Sequence, residues 1–223
     1  MKFYDPSNKI AVNELVAGSI ALNLGLPTPN KSLVNISTQV IEESQELISR
    51  QIRTTPHIGS EELAKEYDDF KKLGEEKLKN KQLINPEAFF GVVVFDNWVL
   101  NNDRNNPGNN MFAILHRDKM RYAVVDFSHC FTDYKWNLDA LKSKQTQETL
   151  VGNFPFIQQR LSEPKKFEPW IKKVEKFDGD LIDEILNSIP DEWKFEEKEK
   201  AVMSEFLKTR KDIVRKVILK NEG

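Results

Sequence analysis

The apolar pattern changes period several times along the chain. A short extended stretch, Met1–Tyr4, is closed by the turn residues Asp5-Pro6-Ser7-Asn8. Val12, Leu15, Val16, Ile20 and Leu24 then recur at the spacing of one helix face; Gly25 suits a left-handed cap, and Pro27 and Pro29 block continuation. Leu33–Ser37 alternates as a strand does, and Thr38–Ile58 has room for a short helix and a linker. Ser60, with Glu61 and Glu62 behind it, predicts a capped helix to about Leu73 that buries Leu63, Tyr67 and Phe70; the charged run Gly74–Gln82 follows as solvated chain.

Asn85-Pro86-Glu87 is the clearest helix start, with Asn as cap and Pro at the first helical position. The residues after it, AFFGVVVFDNWVL, are apolar nearly all round, which predicts a buried helix. That helix delivers a loop crowded with Asn, Asp and Arg. Met111–Leu115 and Arg121–Val125 then flank the polar His116–Met120, a hairpin signal with a longer-than-minimal loop. A turn centred on Asp118 sets Asn110 roughly opposite Asp126 at the open end, beside the loop that carries Asp103. Leu138–Leu141, Phe154–Leu161, Pro169–Val174 and Leu181–Ile189 are short helical pieces, and Glu196–Lys220 is a long amphipathic helix burying Val202, Phe206, Ile213 and Val217. The class is α+β: a small mixed part over residues 1–60, then a helix-rich part over 61–223 with one embedded hairpin.

Composition excludes more than it adds. The 223 residues suit one ordinary domain or two small lobes. With 33 basic and 35 acidic residues the net charge is −2, so no global field draws nucleic acid or an anionic membrane, and neither is expected as a partner. The longest apolar run, Ala88–Phe95, is far too short to span a bilayer. MKFYDPSNKI carries no signal-peptide core, and Cys130, the one cysteine, allows no internal disulfide; both suit a reducing cytoplasm. His57, His116 and His129 are too scattered for a metal triad; His129 and Cys130 are read as structural, and the four tryptophans as core.

Asp103, Asn110 and Asp126 are the candidate chemistry. Two carboxylates and an amide oxygen converging on one point suit a hard cation such as Mg²⁺, which keeps waters and phosphate oxygens as its other ligands. Phosphoryl transfer needs such a cation, a group that orients the attacking hydroxyl, and a positive charge on the phosphates. Asp103 suits the orienting role, Asn110 and Asp126 suit metal ligation, and Arg104 either orients Asp103 or supports the loop. An Asn/Asp/Gly/Pro cluster is also what an ordinary turn looks like, and spacing alone leaves both readings open.

Asp103-Arg104, Asn110-Met111-Phe112 and Asp126-Phe127-Ser128, in this order, resemble the catalytic core of the HipA-like kinases, relatives of the protein-kinase and phosphatidylinositol-kinase fold. Asn13-Glu14-Leu15, the run Leu24 to Pro29 and Phe95-Asp96-Asn97-Trp98 extend the resemblance over residues 2–131. It implies a two-lobed kinase-like fold with a reduced N-terminal lobe and a mainly helical C-terminal lobe. It also implies Mg²⁺ and ATP as cofactors, and a hydroxyl acceptor expected on a protein. By the same resemblance Asp103 is the catalytic aspartate, Asn110 and Asp126 are the Mg²⁺ ligands, and Glu14 is the helix glutamate paired with the nucleotide-binding lysine, matched here by Lys2.

The chain departs from the pattern in three places. Only Met1 precedes Lys2, so the strands and phosphate-covering loop of this fold are expected upstream in a longer chain or are missing. Asp103 and Asn110 are seven positions apart, against roughly five in protein kinases. Ser128 stands where Gly is usual. Two other functions compete with the kinase: a pseudokinase or kinase-like module that binds a protein partner, and a metal-dependent phosphate hydrolase using the same oxygens.

Overall fold

A computed structural model describes residues 1–63, 67–69, 82–105, 110–116, 119–151 and 164–220. Helix α1 (Ile10–Leu24) ends where Gly25 turns left-handed (φ 84°) and the Leu26 N–H returns to the Ala21 carbonyl. It is buried on several faces, polar Asn13 and Glu14 included. Strand β1 (Lys31–Val34) follows, then helices α2 (Thr38–Glu43) and α3 (Gln45–Ser49), which bury none of their residues. Strand β2 (His57–Ser60) pairs antiparallel with β1, Lys31 opposite Ser60, and its Ile58 exchanges both backbone hydrogen bonds with Lys2.

The helix expected over residues 60–73 is not formed where the chain is described. Ser60 closes β2, and Tyr67–Asp69 is strand β3, paired antiparallel with residues 112–114. The capping signal at Ser60 loses to ladder bonds, because β1 supplies partners for the backbone up to Ser60 and β5 for that of Tyr67–Asp69. The rest of that expected helix, the run 74–81 and the expected segment 154–161 lie outside the described residues.

Strand β4 (Gln82–Leu83) precedes helix α4 (Ala88–Val99), whose residues are all buried. The helix starts later than expected: Asn85–Glu87 is a turn, with the Ala88 N–H on the Asn85 carbonyl, and Glu87 takes the cap position without a side-chain bond. Strands β5 (Met111–His116) and β6 (Lys119–Val124) form the hairpin, and the sheet order is β3-β5-β6-β4. Its register pairs His116 with Lys119 and Met111 with Val124. Asn110 therefore faces Val125, whose N–H bonds the Asn110 carbonyl at 3.0 Å, and Asp126 lies one residue further out than the expected turn centre placed it.

Helices α5 (Leu138–Lys144), α6 (Glu168–Glu175), α7 (Gly179–Asn187) and α8 (Glu197–Leu219) complete the described part, α8 opening on a reciprocal Glu196/Glu199 capping box. The buried face of α8 is Met203, Phe206, Leu207, Arg210, Val214, Val217 and Ile218; the expected Val202 and Ile213 lie at its margin. Arg210, wholly buried, donates to the carbonyls of Asn97, Trp98, Lys144 and Gln147, which include the last turn of α4. One hydrophobic cluster runs from Ala11 in α1 through α4 to Ile218. No helix among the described residues is long and apolar enough to cross a membrane.

Candidate active site

Leu100 caps α4 in the left-handed region (φ 49°), turning the chain into the polar loop. Asp96, inside the last turn of α4 and 1% exposed, accepts from Arg104 Nε at 2.8 Å and Asn101 Nδ2 at 3.0 Å. Burial raises the Asp96 carboxyl above its ordinary range, against the pull of the Arg104 guanidinium and Asn101. Arg104 Nη1 donates onward to the carbonyls of Asn110 (3.0 Å) and Val125 (2.9 Å), and the guanidinium lies 5.3 Å from the Phe127 ring. These bonds are those of a side chain that supports the loop. It is fully buried, and its hydrogen bonds go to Asp96 and the hairpin, not to Asp103.

Held this way, Asp103 stands half-buried at the surface of the loop. Asn101 Oδ1 accepts its N–H at 3.2 Å, Asn110 Nδ2 donates to its Oδ2 at 2.6 Å, and His129 Nδ1 lies 3.6 Å from the same oxygen. Asn110 (φ 59°) and Asp126 (φ 58°) both take left-handed backbone at the open end of the hairpin, a conformation Asn and Asp tolerate better than most residues. Asp126 Oδ1 accepts from Lys2 Nζ, the Ser128 N–H (3.1 Å) and Ser128 Oγ. Burial works to raise this carboxyl, but the bonds from Lys2 and Ser128 outweigh it and hold Asp126 well below the usual carboxylate range.

Lys2 also reaches Glu14, its Nζ 2.8 Å from Oε1. Burial pulls the ammonium down, yet Glu14 and Asp126 together leave it above its ordinary value. Glu14, 2% exposed, additionally accepts the Phe127 N–H on Oε1 (2.8 Å) and Lys31 Nζ on Oε2 (2.9 Å). A cavity of about 200 Å³ lies among Lys2, Glu14, Lys31, Gly59, Val125 and Asp126. The expected site residues thus form two groups, Lys2–Glu14–Asp126 and Asp103–Asn110. Ser128 Oγ, 3.1 Å from His129 Nδ1, joins them.

The donor set fits Mg²⁺. Every described hydrogen bond to Asp126 falls on Oδ1 and every one to the Asp103 side chain on Oδ2, while Asn110 is engaged through Nδ2 and its main chain. One oxygen on each of the three side chains is left for a hard cation. Among the described residues no three His, Cys, Asp or Glu side chains form a cage.

Several residues of the site were given no role from the sequence, although Asn13 and Asp96 lie in stretches that carry the resemblance. Asn13 Nδ2 donates to the carbonyls of Ser128, Cys130 and Asp133 and its Oδ1 accepts from Trp136, which pins the chain after Asp126. Asp96 looked like the polar end of an apolar helix, and Lys31 fell between the Pro27 and Pro29 break and the strand expected over Leu33–Ser37.

A family model described as HipA-like kinase matches residues 2–219. The fold also resembles the crystal structure of a Helicobacter pylori proinflammatory kinase, CtkA, with a TM-score of 0.62, 15% sequence identity, and 95% of this chain and 80% of that chain covered. No curated protein matches.

Proposed function

Since the chain belongs to the HipA-like kinase family, we propose that it transfers the terminal phosphoryl group of Mg²⁺-ATP to a hydroxyl on a protein acceptor in the cytoplasm. One observation carries this reading: Lys2 Nζ lies between Glu14 Oε1 and Asp126 Oδ1, joining three residues spread over 124 positions at the edge of one cavity. In this reading residues 1–60 are the small lobe, which supplies Lys2 and Glu14, and residues 61–223 the large lobe, which supplies the loop and the hairpin.

The chain's own groups divide the work. Lys2, oriented by Glu14, presents a point charge to the phosphates. Asn110 and Asp126 would hold the Mg²⁺ through the oxygens that hydrogen bonding leaves over. When bound, the cation neutralises charge on the phosphate oxygens. Asp103, at the surface of the loop, orients the acceptor hydroxyl and takes up its proton, while Asn110 Nδ2 fixes the carboxylate's direction. Arg104 is a positioning residue: by linking Asp96 to both hairpin strands it holds Asp103 and Asp126 in one frame.

Asp103→Ala should lower turnover roughly 10²–10⁴-fold. Calorimetry should show nucleotide still bound, since Asp103 makes no bond to Lys2 or Glu14. Unchanged turnover would remove Asp103 from the chemistry.

A kinase-like binding module is the second reading. It is favoured by the ion pair of Lys2 with Asp126, which already gives the carboxylate proposed to hold Mg²⁺ a positive partner. Mg²⁺-dependent nucleotide binding without transfer to the chain itself or to protein acceptors would select it.

A further inference from the structure

Glu14 is held by two lysines. Lys31, on β1, places Nζ 2.9 Å from Glu14 Oε2, while Lys2 takes Oε1. Its side chain is only 8% exposed, and its ammonium stands 5.4 Å from the centre of the Phe127 ring, whose own backbone N–H bonds Glu14. The path of the stem depends on Gly18: a Cβ there would lie 3.0 Å from Lys31 Cε and 3.1 Å from Cγ. A glycine inside a helix is unfavourable by about 1 kcal/mol relative to alanine, and here a side chain would press the Lys31 stem out of its present path.

We propose that Lys31 is a positioning residue that neutralises Glu14 so that Lys2 is free to turn to an anionic ligand. The inference rests on reading this cavity as the nucleotide-phosphate site. Two cations and two carboxylates balance in the cluster: Lys2 and Lys31 against Glu14 and Asp126. If Lys2 were the sole counter-ion of Glu14, moving it toward phosphate would strand a carboxylate that is 2% exposed, which is strongly unfavourable. With Lys31 fixed on the second oxygen, Glu14 keeps a partner throughout. Lys31 thus acts on the phosphates through Glu14 and Lys2.

A double-mutant cycle on ATP affinity tests this in the full chain, with Lys31→Met, Lys2→Met and the double variant compared by calorimetry. Lys2→Met should weaken ATP binding. Lys31→Met should weaken it about tenfold in the native background and add little once Lys2 is gone, since coupled residues fail to add. Equal losses in both backgrounds, or no loss in the native one, would overturn the role of Lys31 and leave the site reading standing. Unchanged affinity in Lys2→Met would overturn the site reading, and the inference with it.

Gly18→Ala gives an independent arm should Lys31→Met fail to fold. It adds helix propensity while crowding the Lys31 stem, so it should weaken ATP binding in the Lys2 background and not in the Lys2→Met background. Unchanged affinity with Lys2 present would count against the proposal.

Discussion

At the scale of single residues, the pair that fixes the loop is costly to break. Arg104 and Asp96 are 0% and 1% exposed and face each other at 2.8 Å. Removing one member of a buried ion pair leaves the other uncompensated, at a cost of about 3–5 kcal/mol. Arg104→Leu should therefore lower the denaturation free energy by that order, and adding Asp96→Leu should recover a substantial part of it. Urea denaturation measures both, and a double variant no more stable than Arg104→Leu would show that the pair is not the source of the loss. The pattern of the chain made some of these residues legible and hid others. Asp103, Asn110 and Asp126 stood out as oxygen-bearing side chains flanked by apolar segments. Lys2 was legible only through the family resemblance, because a lysine at a terminus has no local signal. Lys31 was not legible at all: its partner is 17 residues away and meets it only after the sheet forms.

At the scale of elements, the legible parts were those whose signal is local. The α1 stop at Gly25, the buried α4 and the β5–β6 hairpin all carry cap, period or turn chemistry within a few residues. Strand β3 carries none, since its three residues are strand only because β5 offers an edge, and the helix expected there was the better local solution. The register of the hairpin, one residue from the expected one, was settled by pairing along the whole ladder and not by the turn composition. Gly91 shows a similar dependence on a distant element. In α4 it stands against α6, and a Cβ would come within 2.6 Å of Trp170 ring atoms. That ring is held by a 2.9 Å bond from its Nε1 to the Glu87 carbonyl and lies under Lys173 Nζ at 4.2 Å. Gly91→Ala should destabilise by about 1–3 kcal/mol through overpacking, more than the roughly 1 kcal/mol that helix propensity returns. A higher midpoint in urea would mean the ring moves aside freely.

At the scale of the molecule, the cluster at Lys2 depends on contacts with the far end of the chain. Lys2 pairs with Ile58, and two residues on, the Tyr4 N–H donates to His57 Nδ1 at 2.8 Å while His57 Nε2 bonds the Arg53 carbonyl, which makes His57 a neutral ring with its proton on Nε2. Tyr4 stacks on Trp193 at 5.5 Å and donates its hydroxyl to the Trp193 carbonyl; Trp193 Nε1 reaches the Pro56 carbonyl. The segment carrying Lys2 is therefore clamped by the turn that leads into α8. No periodicity could disclose this, because apart from the His57–Arg53 bond each contact joins residues more than fifty positions apart. Tyr4→Ala removes the stack and the hydroxyl together and leaves the Lys2 and Glu14 side chains intact. The Lys2 and Ile58 amides, which bond each other's carbonyls, should then exchange faster with solvent, while the amides of Phe95 in α4 and Val214 in α8 keep their protection. The same variant should weaken nucleotide binding, since a looser Lys2 has more freedom to lose on binding. Equal acceleration at Ile58 and Val214 would mean instead that the clamp stabilises the whole core and has no separate hold on the site.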